Sequence, residues 1–171
     1  VRPLRLPPDL WLLFAPLKKA RTALVVEKAV EMGVARIVPV QTEYTNAPRL
    51  REDRLLAHVV EAAEQCGATA LPALSVPRTL NAALGDWPAG RRLMFCDEAL
   101  AGQTRPPGAM PQSAAPGAVL IGPEGGFSPA ERAFLHGLPF SFAVSLGPRI
   151  LRADTAVVAA LALWQIAFGD W

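Results

Sequence analysis

Two short segments concentrate the residues that could do chemistry. Ile121-Gly122-Pro123-Glu124-Gly125-Gly126-Phe127-Ser128 sets three glycines around one carboxylate, and Leu146-Gly147-Pro148-Arg149-Ile150-Leu151-Arg152-Ala153-Asp154-Thr155 sets two cations and an acid among apolar side chains. Glycines let the backbone approach a ligand closely or adopt positive φ, and Pro123 fixes part of the path; a tight strand-to-helix turn would use the same residues. No Gly-Lys-Ser/Thr follows, so this is not a Walker phosphate loop. Neither Gly-x-Gly-x-x-Gly nor Gly-x-Ser-x-Gly is present. Glu124 would repel a polyphosphate and accept hydrogen bonds from hydroxyl or amino groups, which favours a nucleoside-like ligand. Asp154 either caps the last helix or takes part in the chemistry. Arg152 stands near a helix start, where the dipole prefers an anion, so Asp154, Glu124 or a substrate phosphate must compensate it.

These segments need elements to hold them. Leu10 to Ala15, bounded by Pro8 and Pro16, reads as a buried strand. Thr22 to Met32 follows as a helix, with Gly33 placed for a left-handed end. Arg36 to Val40 is a second strand, and Leu55, Val59, Ala62, Ala63 and Cys66 recur at helical spacing before Gly67. Cys66 on that stripe reads as a buried, inert thiol. Ala73 to Val76 and Leu93 to Cys96 read as strands, Thr79 to Leu84 as a short helix, and Gly102 to Pro116 as a proline-rich loop. Ala118 to Ile121 is a strand running into the glycine segment, after which Ser128-Pro129-Ala130-Glu131 forms a capping box. Phe142 to Ser145 is the last strand. The final helix, Thr155 to Phe168, is apolar nearly all round and must be buried in the domain or against another subunit. Strands alternating with helices imply an α/β fold with a mostly parallel sheet and flanking helices, whose ligands bind beyond the carboxyl ends of the strands.

The 171 residues suit one domain, with 51% apolar and 19% charged residues. The longest apolar run, Ala156 to Trp164, is far short of the ~20 residues that cross a bilayer, and no export signal is visible. With two cysteines thirty positions apart and two histidines, neither zinc spacing nor a disulfide framework is present, and the expectation is a cytoplasmic, metal-free protein. Net charge is only +2. Basic residues nevertheless cluster in two places, Arg2 to Arg21 and Arg49, Arg51 and Arg54, either as ordinary solvated charge or as a face for a polyanion.

Taken together, Gly122-Pro123-Glu124-Gly125-Gly126-Phe127-Ser128 with Glu131, followed by Leu146-Gly147-x-Arg149-Ile150-Leu151-Arg152-x-x-Thr155-Ala156, resembles the 16S ribosomal RNA (uracil-N3)-methyltransferases, the RsmE type of the SPOUT superfamily. Glu27-Lys28-Ala29-Val30-Glu31-Met32-Gly33-Val34, Ile37-Val38-Pro39 and Glu61-Ala62-Ala63-Glu64-Gln65-Cys66 are similar to the same family in the same order, so the resemblance spans nearly the whole chain. It implies one SPOUT domain over residues 1–171, with a C-terminal trefoil knot, a homodimer and S-adenosyl-L-methionine as cofactor. Ile121, Gly122, Pro123, Glu124, Gly125 and Gly126, with Leu146, Gly147, Ile150 and Leu151, would wrap that cofactor.

The implied partner is 16S ribosomal RNA in the small ribosomal subunit. Arg21, Arg49, Arg51, Arg54 and Arg149 are the candidate contacts. Methyl transfer from a sulfonium demands positioning more than metal chemistry. Uridine N3 must lose a proton, with Asp154 or Glu124 as candidate acceptors and Arg152 stabilising the charge that develops. The chain departs from the family in having Asp154 where glutamate is typical, and Tyr44 and Ala68 where arginine is common. It begins roughly where the family's N-terminal PUA-like barrel would end, so the expectation is the catalytic part of a longer protein. The competing readings are a ribose 2′-O-methyltransferase and a cofactor- or RNA-binding domain that is inactive without the barrel.

Overall fold

The computed structural model describes residues 3–103, 111–113 and 116–171; parts of the Gly102 to Pro116 segment therefore lie outside the described residues. Strands β1 (Leu10–Phe14), β2 (Arg36–Gln41), β3 (Ala73–Leu74), β4 (Arg78–Thr79), β5 (Arg92–Cys96), β6 (Gly117–Ile121) and β7 (Ser141–Val144) form a sheet in the order β3-β2-β1-β6-β5-β7, with β4 also on β2. All pairings among the described residues are parallel. Helices α1 (Lys19–Glu31), α2 (Glu52–Cys66), α3 (Leu80–Gly85), α4 (Pro129–Gly137) and α5 (Ala153–Phe168) supply the crossovers and cover both faces.

Parallel strands covered on both sides should be apolar at successive positions, and β1 and β6 are. Leu10, Leu12, Phe14, Val119 and Ile121 point into one core with α1, α2 and α5. Leu13, Ala118 and Leu120 point into the other, with Leu80 and Leu84 of α3 and Leu135 of α4. The helix ends follow the sequence signals. Gly33 (φ +73°) closes α1: its N–H donates to Val30 O at 3.0 Å, and that of Val34 to Ala29 O at 3.2 Å. Gly67 (φ +74°) ends α2 in the same left-handed conformation.

The last helix resolves into two faces. Ala156, Val157, Ala160, Leu161 and Trp164 are buried in the core, whereas Val158 and Ile166 stay exposed, at 37% and 70%. Gln165 is wholly buried and ties α5 to the end of α1: its Nε2 donates to Met32 O at 2.7 Å and its Oε1 accepts from Asp170 N at 3.2 Å. Replacing Gln165 by leucine should cost about 1–3 kcal/mol, read as a lower denaturation midpoint with unchanged slope, because the Met32 carbonyl is then left buried without this donor.

One expectation is corrected. Cys66 is exposed, because α2 ends there beside an open groove bounded by Arg5 and Asp170 rather than under a neighbouring helix. Among the described residues no helix is long and apolar enough to cross a membrane, and no group of three or more His, Cys, Asp or Glu could hold a metal.

Candidate functional site

Strand order reverses at β5: the chain places β6 on one side of it, against β1, and then β7 on the other. In open parallel sheets the crevice outside the carboxyl ends at such a point is the usual ligand site. A cavity of about 410 Å3 lies there. It is walled by the exits of β5, β6 and β7 and by the start of α5.

Both motif segments meet in it. Ile121, Gly122, Pro123, Glu124 and Gly126 come from the first, and Leu146, Gly147, Arg149, Ile150, Leu151 and Arg152 from the second. Gly125 faces away: a Cβ built on it would lie 3.4 Å from that of Tyr44. The glycine loop is fixed from below by the capping box, in which Ser128 Oγ accepts from Glu131 N at 3.2 Å and Glu131 Oε2 accepts from Ser128 N at 3.0 Å. The other oxygen of Glu131 accepts from Glu43 N at 2.8 Å, which ties the β2 exit to the same loop.

The polar groups sort differently from the sequence reading. Arg152 occupies the N-cap position of α5 with no side-chain cap, is exposed at the cavity, and has no ion pair among the described residues. The cation that meets the two candidate carboxylates is Arg21, with Nη1 3.5 Å from Glu124 Oε1 and 3.9 Å from Asp154 Oδ1. Asp154 is not the cap of α5; it lies in the first turn and its Oδ1 accepts from Thr155 N at 3.0 Å. An acid there favours the helix dipole, which offsets part of the cost of a cation at the cap.

Three cavity residues escaped the sequence reading. Cys96 ends β5, and burial pushes its thiol pKa up, so it remains a neutral group. Asp97 is buried and fully engaged, ion-paired to Arg132 at 3.1 Å, 3.1 Å from His136 Nε2 and accepting from Ala99 N at 3.1 Å. Glu98 begins a single 3-10 turn (Glu98–Leu100) and lies against Gly126. The signal that could have found them is the one used for the glycine loop: an acidic pair directly after an apolar strand, Leu93 to Cys96.

The basic residues divide in the same way. Arg21 and Arg149 belong to the cavity, whereas Arg49, Arg51 and Arg54 are exposed before and within the first turn of α2. Arg51 is tied to Asp53 at 2.6 Å; the hydrogen bond holds the Asp53 carboxyl below its ordinary value and raises Arg51. Arg49 and Arg54 carry no ion pair among the described residues. If these two cations face a polyanion, as the sequence led one to expect, an R49A/R54A variant binds RNA more weakly in a filter-binding titration, and its log affinity falls less steeply with log salt, by about 0.7 for each lost contact to a single strand.

The comparisons with known proteins agree with this geometry. The RNA methyltransferase domain model matches residues 4–165. The chain is 29% identical, over 174 aligned residues, to ribosomal RNA small subunit methyltransferase E of Buchnera aphidicola, covering 90% of this chain and 63% of that one. It thus spans a little under two thirds of that relative's length. A putative methyltransferase of Legionella pneumophila, solved with bound SAM, superposes with TM-score 0.82 at 32% identity over 98% of this chain and 70% of that one. Ribosomal RNA small subunit methyltransferase E of Neisseria gonorrhoeae, bound to S-adenosyl methionine, gives TM-score 0.78 at 30% identity with the same coverage. With a family model matching residues 4–165, nearly its whole length, the chain belongs to the RNA methyltransferase domain family.

Proposed function

We propose that the chain transfers a methyl group from S-adenosyl-L-methionine to N3 of a uridine in 16S ribosomal RNA of the small subunit. The observation that carries this reading is the convergence of the two motif loops on one crevice, with an unpaired Arg152 at its edge and two carboxylates drawn together by Arg21. The names and bound ligands of the relatives support it.

The residues present fit a nucleoside cofactor. A Cβ on Gly122 would press within 3.1 Å of the Phe127 ring, and one on Gly126 would displace the Glu98 carboxylate, so bare backbone at both positions keeps this loop surface as it is. Ile121, Val144, Leu146 and Leu151 supply apolar wall for a purine, while Gly122 and Gly147 leave backbone accessible at its edges.

When bound, the cofactor supplies an electrophilic methyl group on a sulfonium. The chain's own residues hold the acceptor. Arg152 neutralises the negative charge that develops on the uracil as N3 loses its proton, and either Glu124 or Asp154 takes that proton. Arg21 fixes both carboxylates in place. The reading extends to assembly. A homodimer would cover the exposed Val158 and Ile166 of α5. A knotted C-terminal segment suits the hydrogen bond from Gly102 N to Gly147 O at 3.2 Å, which laces the β5 exit to the second motif loop.

Calorimetry with S-adenosyl-L-methionine, followed by transfer of labelled methyl groups into unmethylated small subunits, tests the function. Transfer should persist on RNA whose target 2′-hydroxyl is removed and stop when N3 is already methylated. Binding without transfer would mark a cofactor-binding module, and transfer that requires the 2′-hydroxyl would mark a ribose methyltransferase. Sedimentation equilibrium reports the dimer.

A further inference from the structure

Among the described residues the cavity holds one carboxylate without a side-chain partner. Glu124 and Asp154 both face Arg21, and Asp97 is enclosed by Arg132 and His136. Glu98 makes no side-chain hydrogen bond or ion pair among the described residues, although it is partly buried in the cavity wall. A carboxylate that loses water there without a protein partner is costly unless a ligand supplies the donors.

Its backbone is held firmly. Asp97 Oδ1 accepts from Ala99 N at 3.1 Å, Ala101 N donates to Glu98 O at 3.0 Å, and Asp97 N donates to Val144 O at 3.2 Å. The side chain lies on the left-handed Gly126, at the place a Cβ would otherwise occupy. Topology adds the chemistry. The glycine loop leaves β6, and Glu98 follows the exit of β5, the parallel strand next to it. In dinucleotide-binding sheets an acid placed beyond a strand of the same sheet accepts from the 2′-hydroxyl of the ribose next to the glycine loop. An ionised carboxylate has two oxygens and no donor, which suits a pair of neighbouring hydroxyls.

We propose that Glu98 is the residue that binds the ribose of the cofactor, its two oxygens accepting from the 2′- and 3′-hydroxyls. This rests on the cofactor assignment above. The test is calorimetry on the intact chain and on E98A and E98Q, with S-adenosyl-L-methionine, S-adenosylhomocysteine, 5′-methylthioadenosine and the 2′,3′-dideoxy form of the last. E98A opens space at Gly126, and E98Q preserves bulk, so neither threatens the fold. E98A should weaken the first three ligands alike, by about tenfold or more, and E98Q should weaken them in the same order. The wild-type preference for the ribose over the dideoxyribose form should vanish in E98A. A loss confined to the two ligands that carry the amino-acid tail would place Glu98 on the ammonium and overturn the proposal, as would dideoxy discrimination that survives in E98A. If the wild-type chain binds none of the four, the cofactor assignment itself fails, and this inference with it.

Discussion

Gly126→Ala is expected to lower S-adenosyl-L-methionine affinity by about 10- to 100-fold while the domain still folds. Two costs arise, one on stability and one on binding. At φ +72° an alanine pays the left-handed penalty of roughly 1–2 kcal/mol, and its methyl occupies the volume of the Glu98 carboxylate. That carboxylate sits at the end of a flexible side chain, so it swings aside and relieves the clash, but it leaves the cavity wall, and the hydrogen bonds proposed for it with the cofactor ribose go with it, about 1.5–3 kcal/mol. The second cost alone corresponds to the stated loss in affinity, and the first lowers the stability of the free and bound forms alike. Gly137→Ala is the matched control, since nothing lies within 4 Å of a Cβ there. Adding E98A to Gly126→Ala should then cost little more, because the same contact cannot be lost twice. Wild-type affinity in Gly126→Ala by calorimetry would contradict the description of the loop.

Arg152→Ala should separate binding from turnover. Methyl transfer in a single-turnover assay should fall by about 100- to 1,000-fold, the scale seen when a group that stabilises transition-state charge is removed. Cofactor affinity should remain close to wild type. Thermal stability should hold or rise slightly, because an unpaired cation at the N-terminus of α5 opposes the helix dipole. Arg152→Lys keeps the charge but loses the planar fork, so partial recovery is expected. A variant that turns over at the wild-type rate would remove Arg152 from the chemistry.

The elements were legible wherever a local signal exists. The Ser128 capping box, the glycine ends at Gly33 and Gly67, and the buried runs of β1 and β6 are short-range consequences of side-chain and backbone chemistry, and they appear where expected. The beginning of α1 was missed by three residues because Lys18 offers no side-chain cap to mark it. Cys66 was misplaced because helical spacing identifies a stripe but not how far the neighbouring layer extends. The cavity was half legible. Both glycine-bearing loops could be named from their residues, whereas the pairing of Arg21 with Glu124 and Asp154 spans more than a hundred positions and follows only from the strand order. Arg21 therefore read as one of several basic residues near the start of the chain. Glu98 was invisible for the complementary reason: its significance lies in what it does not touch.

The strand order also governs when this protein can come into being on a ribosome. Strand β1 precedes the other strands of this sheet in the chain, yet one of its two flanks stays empty until β6 pairs with it, Leu10 lying opposite Gly117 and Phe14 opposite Ile121. Such long-range parallel pairing is slow, because a large loop must close before any contact rewards it. Until residue 121 emerges, the nascent chain presents an apolar strand with an open edge, the kind of surface that chaperones cover. The crevice comes later still, since its last wall, residues 146–152, follows β6 and β7 in the chain. Cofactor capture therefore waits on the synthesis of residues 146–152, and nascent chains released before residue 146 should not bind cofactor.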